Sequence, residues 1–165
     1  MERLILFRHG RTEARAASGE DFDRALTERG RQDVRLTAEA LRDAGFAIDR
    51  ALVSAAVRAR QTWEAASVTF PTAVIETRPE LYDSDARTLL AASRTPLGRT
   101  VVLVAHNPGL QILAITLASR SGARSHEDRL RRGFATAAAA VFEVKDEVVE
   151  SLGLFYPADY GGGSD

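Results

Sequence analysis

The chain has 165 residues, of which 45% are hydrophobic and 27% charged, and its formal net charge is -1. That is enough to bury one core as a single domain over residues 1–165, with no basic surplus to attract nucleic acid or an anionic membrane. Cysteine is absent, which excludes disulfides, thiolate catalysis and Cys-based metal sites.

No apolar run approaches the ~20 residues of a membrane span, and no basic segment leads into an apolar stretch and a cleavage site. A cytoplasmic location is therefore expected. Cations are arginines with the single exception of Lys145. Arginine suits planar, bidentate capture of phosphate, a use open to particular arginines only.

Leu4-Ile5-Leu6-Phe7 runs without alternation into Arg8-His9-Gly10, and reads as a strand buried on both faces. Residues 11–24 are polar and read as a loop. Thr27 is placed to cap a helix, with Glu28 in its first turn. Val34, Ala38, Leu41 and Ala44 recur at helical spacing, and Gly45 ends the pattern. A short strand is expected over residues 48–53, ending at Ser54, then a helix over residues 56–66 that Phe70-Pro71 breaks. A third strand covers residues 73–75.

Pro79 marks a connection. Ser84 or Asp85 caps a helix through Leu89, Leu90 and Ala92, closed by Pro96-Leu97-Gly98. Residues 101–105 are a second continuous apolar run, and it too ends in a histidine, His106-Asn107-Pro108-Gly109. Pro108 suits the first turn of a helix through Leu110, Leu113, Ala114 and Leu117. Residues 119–132 read as a polar loop, residues 137–144 and 148–155 as two final strands, and residues from about 158 to 165 as a flexible tail. Trp63, Leu110 and Leu113 are expected in the core and His126 on the surface. Arg129, Arg131 and Arg132 form a basic cluster, either a solvated face or a dock for an acidic partner.

Strands alternating with helices predict a three-layer α/β/α sandwich with a mainly parallel central sheet. Ligands bind at the carboxyl ends of the strands in such sheets. There Arg8-His9, Ser54 to Arg58, and His106-Asn107 would meet. Two histidines and two arginines without a carboxylate cluster are a poor metal site and a good cradle for a phosphoryl dianion. At ~4 Å and an effective dielectric of ~20, one arginine–phosphate pair is worth roughly 4 kcal/mol before desolvation. A neutral imidazole is a competent nucleophile towards phosphorus. Its other nitrogen should donate to a carbonyl, and a cationic pocket should lower its pKa. These considerations leave open which histidine attacks.

Leu6-Phe7-Arg8-His9-Gly10-Arg11-Thr12 resembles the Arg-His-Gly signature of the histidine phosphatase superfamily, the branch containing phosphoglycerate mutases. Leu26-Thr27-Glu28-Arg29-Gly30 is similar to its helix start. Residues 54–62 resemble the segment carrying the second phosphate arginine, and Val104-Ala105-His106-Asn107-Pro108-Gly109 resembles the second-histidine segment. The four stand in the family's order. The resemblance implies a phosphoglycerate mutase-like fold, phosphorylation of His9, a phosphate pocket of Arg8, Arg58 and His106, and neither metal nor other cofactor.

Asn107 is taken as a further phosphate contact. Thr12 either reaches the phosphate or caps its turn. Glu80 lies near where longer members place a proton donor, and Arg15 stands where many have an asparagine. The match is nearest to short, SixA-type phosphohistidine phosphatases, whose open pocket suits phosphate displayed on another protein. The expected partner is therefore a phosphohistidine protein, with small phosphomonoesters, or phosphate binding without turnover, as alternatives.

Overall fold

The computed structural model describes residues 1–94 and 98–163. Among them six strands form one sheet: β1 (Arg3–Arg8), β2 (Arg50–Ser54), β3 (Val74–Arg78), β4 (Thr100–Ala105), β5 (Ala139–Lys145) and β6 (Val148–Phe155). Their order is β3-β2-β4-β1-β5-β6. The first four run parallel, β5 is antiparallel to β1, and β6 is antiparallel to β5.

The described helices are α1 (Glu28–Asp43), α2 (Val57–Ser67), α3 (Ala86–Ser93), α4 (Gly109–Ser121) and α5 (Arg124–Arg132). Leu4, Ile5, Leu6 and Phe7 are all fully buried because β1 is covered on both sides. Leu4 and Leu6 share a core with Leu89, Leu110 and Leu130 of α3, α4 and α5. Ile5 and Phe7 face the opposite way, into a core with Val34 and Leu41 of α1 and Trp63 of α2. The alternation of a pleated strand thus divides one apolar run between two helical layers.

Local chemistry sets the boundaries. Thr27 Oγ1 accepts a hydrogen bond from the Gly30 N–H at 2.9 Å, which satisfies an orphan donor of α1. After Ala44 the chain turns left-handed at Gly45 (φ +86°), and the Phe46 N–H donates back to the Leu41 carbonyl. Asp85, rather than Ser84, caps α3 by accepting from the Thr88 N–H.

Several boundaries differ from the sequence reading. Pro108 is the N-cap of α4, one residue before the helix proper. β3 continues to Arg78, since an exposed edge strand tolerates Glu76 and Arg78. The helix break expected at Pro96-Leu97 lies outside the described residues.

Two corrections are larger. The expected loop over residues 119–132 is the end of α4, a left-handed turn at Gly122 (φ +72°), and α5. Leu130 alone of α5 is buried, so the helix carries no apolar stripe. His126, expected on the surface, is half-buried and its Nδ1 lies 2.7 Å from Ser151 Oγ. The expected flexible tail is docked as far as residue 163: Pro157–Tyr160 forms a 3-10 turn, and the Gly163 N–H donates to Asp33 Oδ1 at 3.0 Å. Ser164 and Asp165 lie outside the described residues.

Candidate active site

β1 and β4 are parallel neighbours in register, with Arg8 opposite Ala105. The residues that follow each strand therefore emerge side by side. The His9 N–H donates to the Ala105 carbonyl at 3.2 Å, and the His9 and His106 ring centroids lie 5.0 Å apart. β2 flanks β4 on the other side and ends at Ser54, so the first turn of α2 delivers Arg58 to the same edge. All three polar clusters from the sequence meet there.

Glycines allow the close approach behind them. A Cβ on Gly30 would strike the Arg11 carbonyl, and one on Gly10 would lie 2.8 Å from the Gly30 carbonyl oxygen. The start of α1 therefore packs directly on the backbone that carries His9. Thr62 of α2 adds a tie: its Oγ1 accepts from the Gly10 N–H at 3.0 Å and donates to the Arg58 carbonyl at 2.7 Å.

The His9 ring is oriented by one hydrogen bond, in which Nδ1–H donates to the Gly10 carbonyl at 2.8 Å. The proton is thereby fixed on Nδ1 and the lone pair on Nε2, which makes no hydrogen bond among the described residues. Burial, reinforced by the charges of Arg58, Arg8 and Arg24, lowers the His9 pKa to about 4. His106 Nδ1 accepts from Arg58 Nε–H at 3.2 Å, so the neutral ring carries its proton on Nε2 and donates to Ser54 Oγ at 2.8 Å. Burial, with His9 and Arg58 adding to it, brings the His106 pKa down to about 3. Both imidazoles are neutral at pH 7.

Arg58 is 7% exposed. Its Nη1 donates to the Asp21 carbonyl at 2.7 Å and its Nη2 to Asp21 Oδ2 at 2.9 Å. Asp21 belongs to a 3-10 turn (Asp21–Asp23) that reaches over the site. It also accepts from Arg24 and from the Tyr82 hydroxyl, and its pKa falls to about 2, chiefly through Arg24. A carboxylate thus occupies guanidinium donors of the kind a phosphoryl oxygen would use.

Arg8 Nη1 and Asn107 Nδ2 both donate to the Phe134 carbonyl, at 2.7 and 3.1 Å. Arg8, His9, Thr12, Arg24 and Arg58 line a cavity of about 480 Å³. Asp21, Arg58, Tyr82, His106 and Asn107 line a neighbouring one of about 260 Å³. Arg58 stands between the two.

Thr12 lines the first cavity, where its hydroxyl accepts from Arg24 at 2.6 Å. Glu80 lines neither cavity; it is exposed and paired with Arg78 at 3.0 Å. Its own backbone N–H and Arg78 hold its carboxyl below the usual range. Arg15 is exposed.

Asp21, Arg24 and Tyr82 are site residues that the sequence did not disclose. The signal was the charge density of residues 20–24 between two motif segments. Among the described residues, no group of three or more His, Asp or Glu side chains is arranged to hold a metal ion.

Residues 4–90 match the model of the histidine phosphatase superfamily (branch 1). An uncharacterized protein of Mycobacterium tuberculosis is 33% identical over 127 residues, spanning 75% of this chain and 78% of that protein. SixA of Agrobacterium tumefaciens superposes with a TM-score of 0.81 at 30% identity, covering 94% of this chain and 98% of its own. A protein histidine phosphatase SixA complexed with tungstate gives 0.75 at 25% identity, covering 95% and 98%. The layered, mixed but mainly parallel sheet is the phosphoglycerate mutase-like fold.

Proposed function

The chain belongs to the histidine phosphatase superfamily, and on that premise we propose that it is a phosphatase whose nucleophile is His9 and whose substrate is a phosphohistidine protein. The observation that carries this reading is the Nδ1–H bond to the Gly10 carbonyl, which leaves a neutral ring with its Nε2 lone pair available beside two arginines.

In the first step Nε2 attacks phosphorus, an N–P bond forms, and the bond from phosphorus to the substrate's imidazole nitrogen breaks. The departing imidazole is basic enough to take a proton from solvent, so Glu80 is not needed as a strong acid for this substrate. Arg8 and Arg58 bear on the equatorial oxygens as charge redistributes, and His106 joins them by turning its Nε2–H from Ser54 to the substrate. Asn107 and Thr12 line the surrounding cavities. Water then attacks the phosphorylated His9, the N–P bond breaks, and inorganic phosphate leaves with the ring restored to its neutral state. No step calls for a metal.

Two features support a protein substrate. The segment over the site is the short turn Asp21–Asp23, which leaves the histidines approachable by a phosphorylated surface. The likeness to SixA proteins extends over nearly the whole chain, and one of them holds tungstate, a tetrahedral oxyanion like phosphate.

The test is turnover of an aryl phosphate and of a phosphohistidine carrier protein by wild type and His9→Ala, with and without a chelator. Loss of about a thousandfold or more in the variant is expected, with turnover of the carrier protein by wild type and no effect of EDTA. Equal rates would remove His9 as nucleophile. Turnover of small phosphomonoesters alone would move the substrate to metabolites, and inactivity of both proteins would indicate a phosphate-binding module.

A further inference from the structure

A third cavity, of about 460 Å³, opens beside the phosphate site. Arg8 is part of its wall and of the cavity holding His9, and Asn107 is part of its wall and of the one holding His106. The carbonyl of Phe134, which accepts from both Arg8 and Asn107, joins the two regions. Chain leading away from a phosphoryl group in the site therefore has this neighbouring cavity within reach.

The lining is specific in character. Phe134 and Tyr156 meet edge to face with ring centroids 6.2 Å apart, giving an aromatic surface. The Tyr156 hydroxyl donates to the Gly133 carbonyl at 2.7 Å, which fixes that ring. Arg129 lies 4.0 Å over the Tyr156 ring and makes a two-pronged pair with Asp159 at 2.7 and 2.8 Å. Its charge is committed and it serves to build the rim.

Arg131 of the same helix is paired with Glu127. That leaves Arg132, exposed at the end of α5 and lining the cavity, as the cation of this turn without an ion pair among the described residues. Among the described residues no carboxylate lines the cavity. A cavity lined by both an aromatic surface and a guanidinium without an ion pair among the described residues suits a side chain with an apolar stem and an anionic end.

We propose that this cavity receives the residue next to the phosphorylated one on a protein substrate, and that Arg132 selects an acidic side chain there. The inference rests on the phosphatase reading for its substrate class. A small phosphomonoester is accommodated by the cavities around the histidines. The additional 460 Å³ shares Arg8 and Asn107 with them and is suited to flanking polypeptide. The cluster of arginines visible in the sequence thus separates into two structural cations and one that recognises.

The experiment is equilibrium binding of two peptides built on a non-hydrolysable phosphonate analogue of phosphohistidine, identical except for Glu or Gln on both flanks. Wild type should bind the Glu peptide about threefold to fivefold more tightly at low salt, as suits a rim ion pair, with the advantage fading at high salt. Arg132→Ala should erase the difference and Arg132→Glu should reverse it. Equal affinities in wild type, or a preference surviving in Arg132→Glu, would overturn the proposal. So would an Arg132-dependent gain for a small phosphomonoester bearing a second anionic group with none for the peptides. Binding does not require turnover, so failure of the phosphatase reading would show separately, as aryl phosphate hydrolysis indifferent to His9→Ala.

Discussion

His9 and His106 stand 5.0 Å apart with three arginines acting on them, so protonation of either ring would place a cation among cations. Their depressed pKa values follow from that placement and from burial. NMR titration of the two rings should show no proton uptake between pH 8 and 5, with His9 charging near pH 4. A His9 ring that titrates near 6.5 would mean that it is solvated and poorly placed as a buried nucleophile.

Arg58 and Asp21 should respond in opposite directions. Arg58→Ala removes charge from both ground and transition states, so KM should rise and kcat should fall. Asp21→Ala removes the carboxylate that competes for the same guanidinium, so inorganic phosphate should bind several-fold more tightly by calorimetry. Weaker binding in that variant would instead make Asp21 a residue that positions Arg58.

The elements hold these side chains by close contact between backbones. Gly30 sits where α1 meets the segment after β1, and a methyl group there collides with the Arg11 carbonyl. Gly30→Ala should destabilise the fold by about 1–3 kcal/mol and lower kcat beyond what the unfolded fraction explains. Urea denaturation alongside initial rates measures both. A stable variant with normal turnover would mean that the α1–β1 contact does not position His9.

This contact also shows what the sequence could disclose. β1 and β4 were legible because a strand buried on both faces must be apolar throughout, and α1 and α4 because each carries an apolar stripe under a recognisable start. Their ends located His9 and His106. α5 was illegible because it buries Leu130 alone. The tail was illegible because its order comes from Asp33 and Arg129, more than a hundred and about thirty residues away. The charge density of residues 20–24 marks a segment, but Asp21 and Tyr82 become site residues only when the fold brings their segments over Arg58.

Across the whole molecule, the site opposes stability in acid. Below the ordinary histidine pKa of 6.5 the unfolded chain takes up protons that folded His9 and His106 refuse until about pH 4 and about pH 3. Stability contributed by keeping the rings neutral is complete above pH 6.5 and is lost as pH falls through that window. The urea midpoint should therefore be lower at pH 5 than at pH 7, and the difference should shrink in His9→Ala. An unchanged midpoint in wild type would contradict the buried, neutral placement of the pair.

That same convergence of strand ends makes His9 the residue that should carry phosphate during turnover. Rapid quenching into alkaline denaturant, followed by mass spectrometry of the peptide containing His9, measures this directly. A phosphoryl increment on His9 in wild type, formed and lost within a turnover and absent from His9→Ala, is the predicted result. Steady hydrolysis with no phosphate on His9, or with phosphate on another residue, would contradict it.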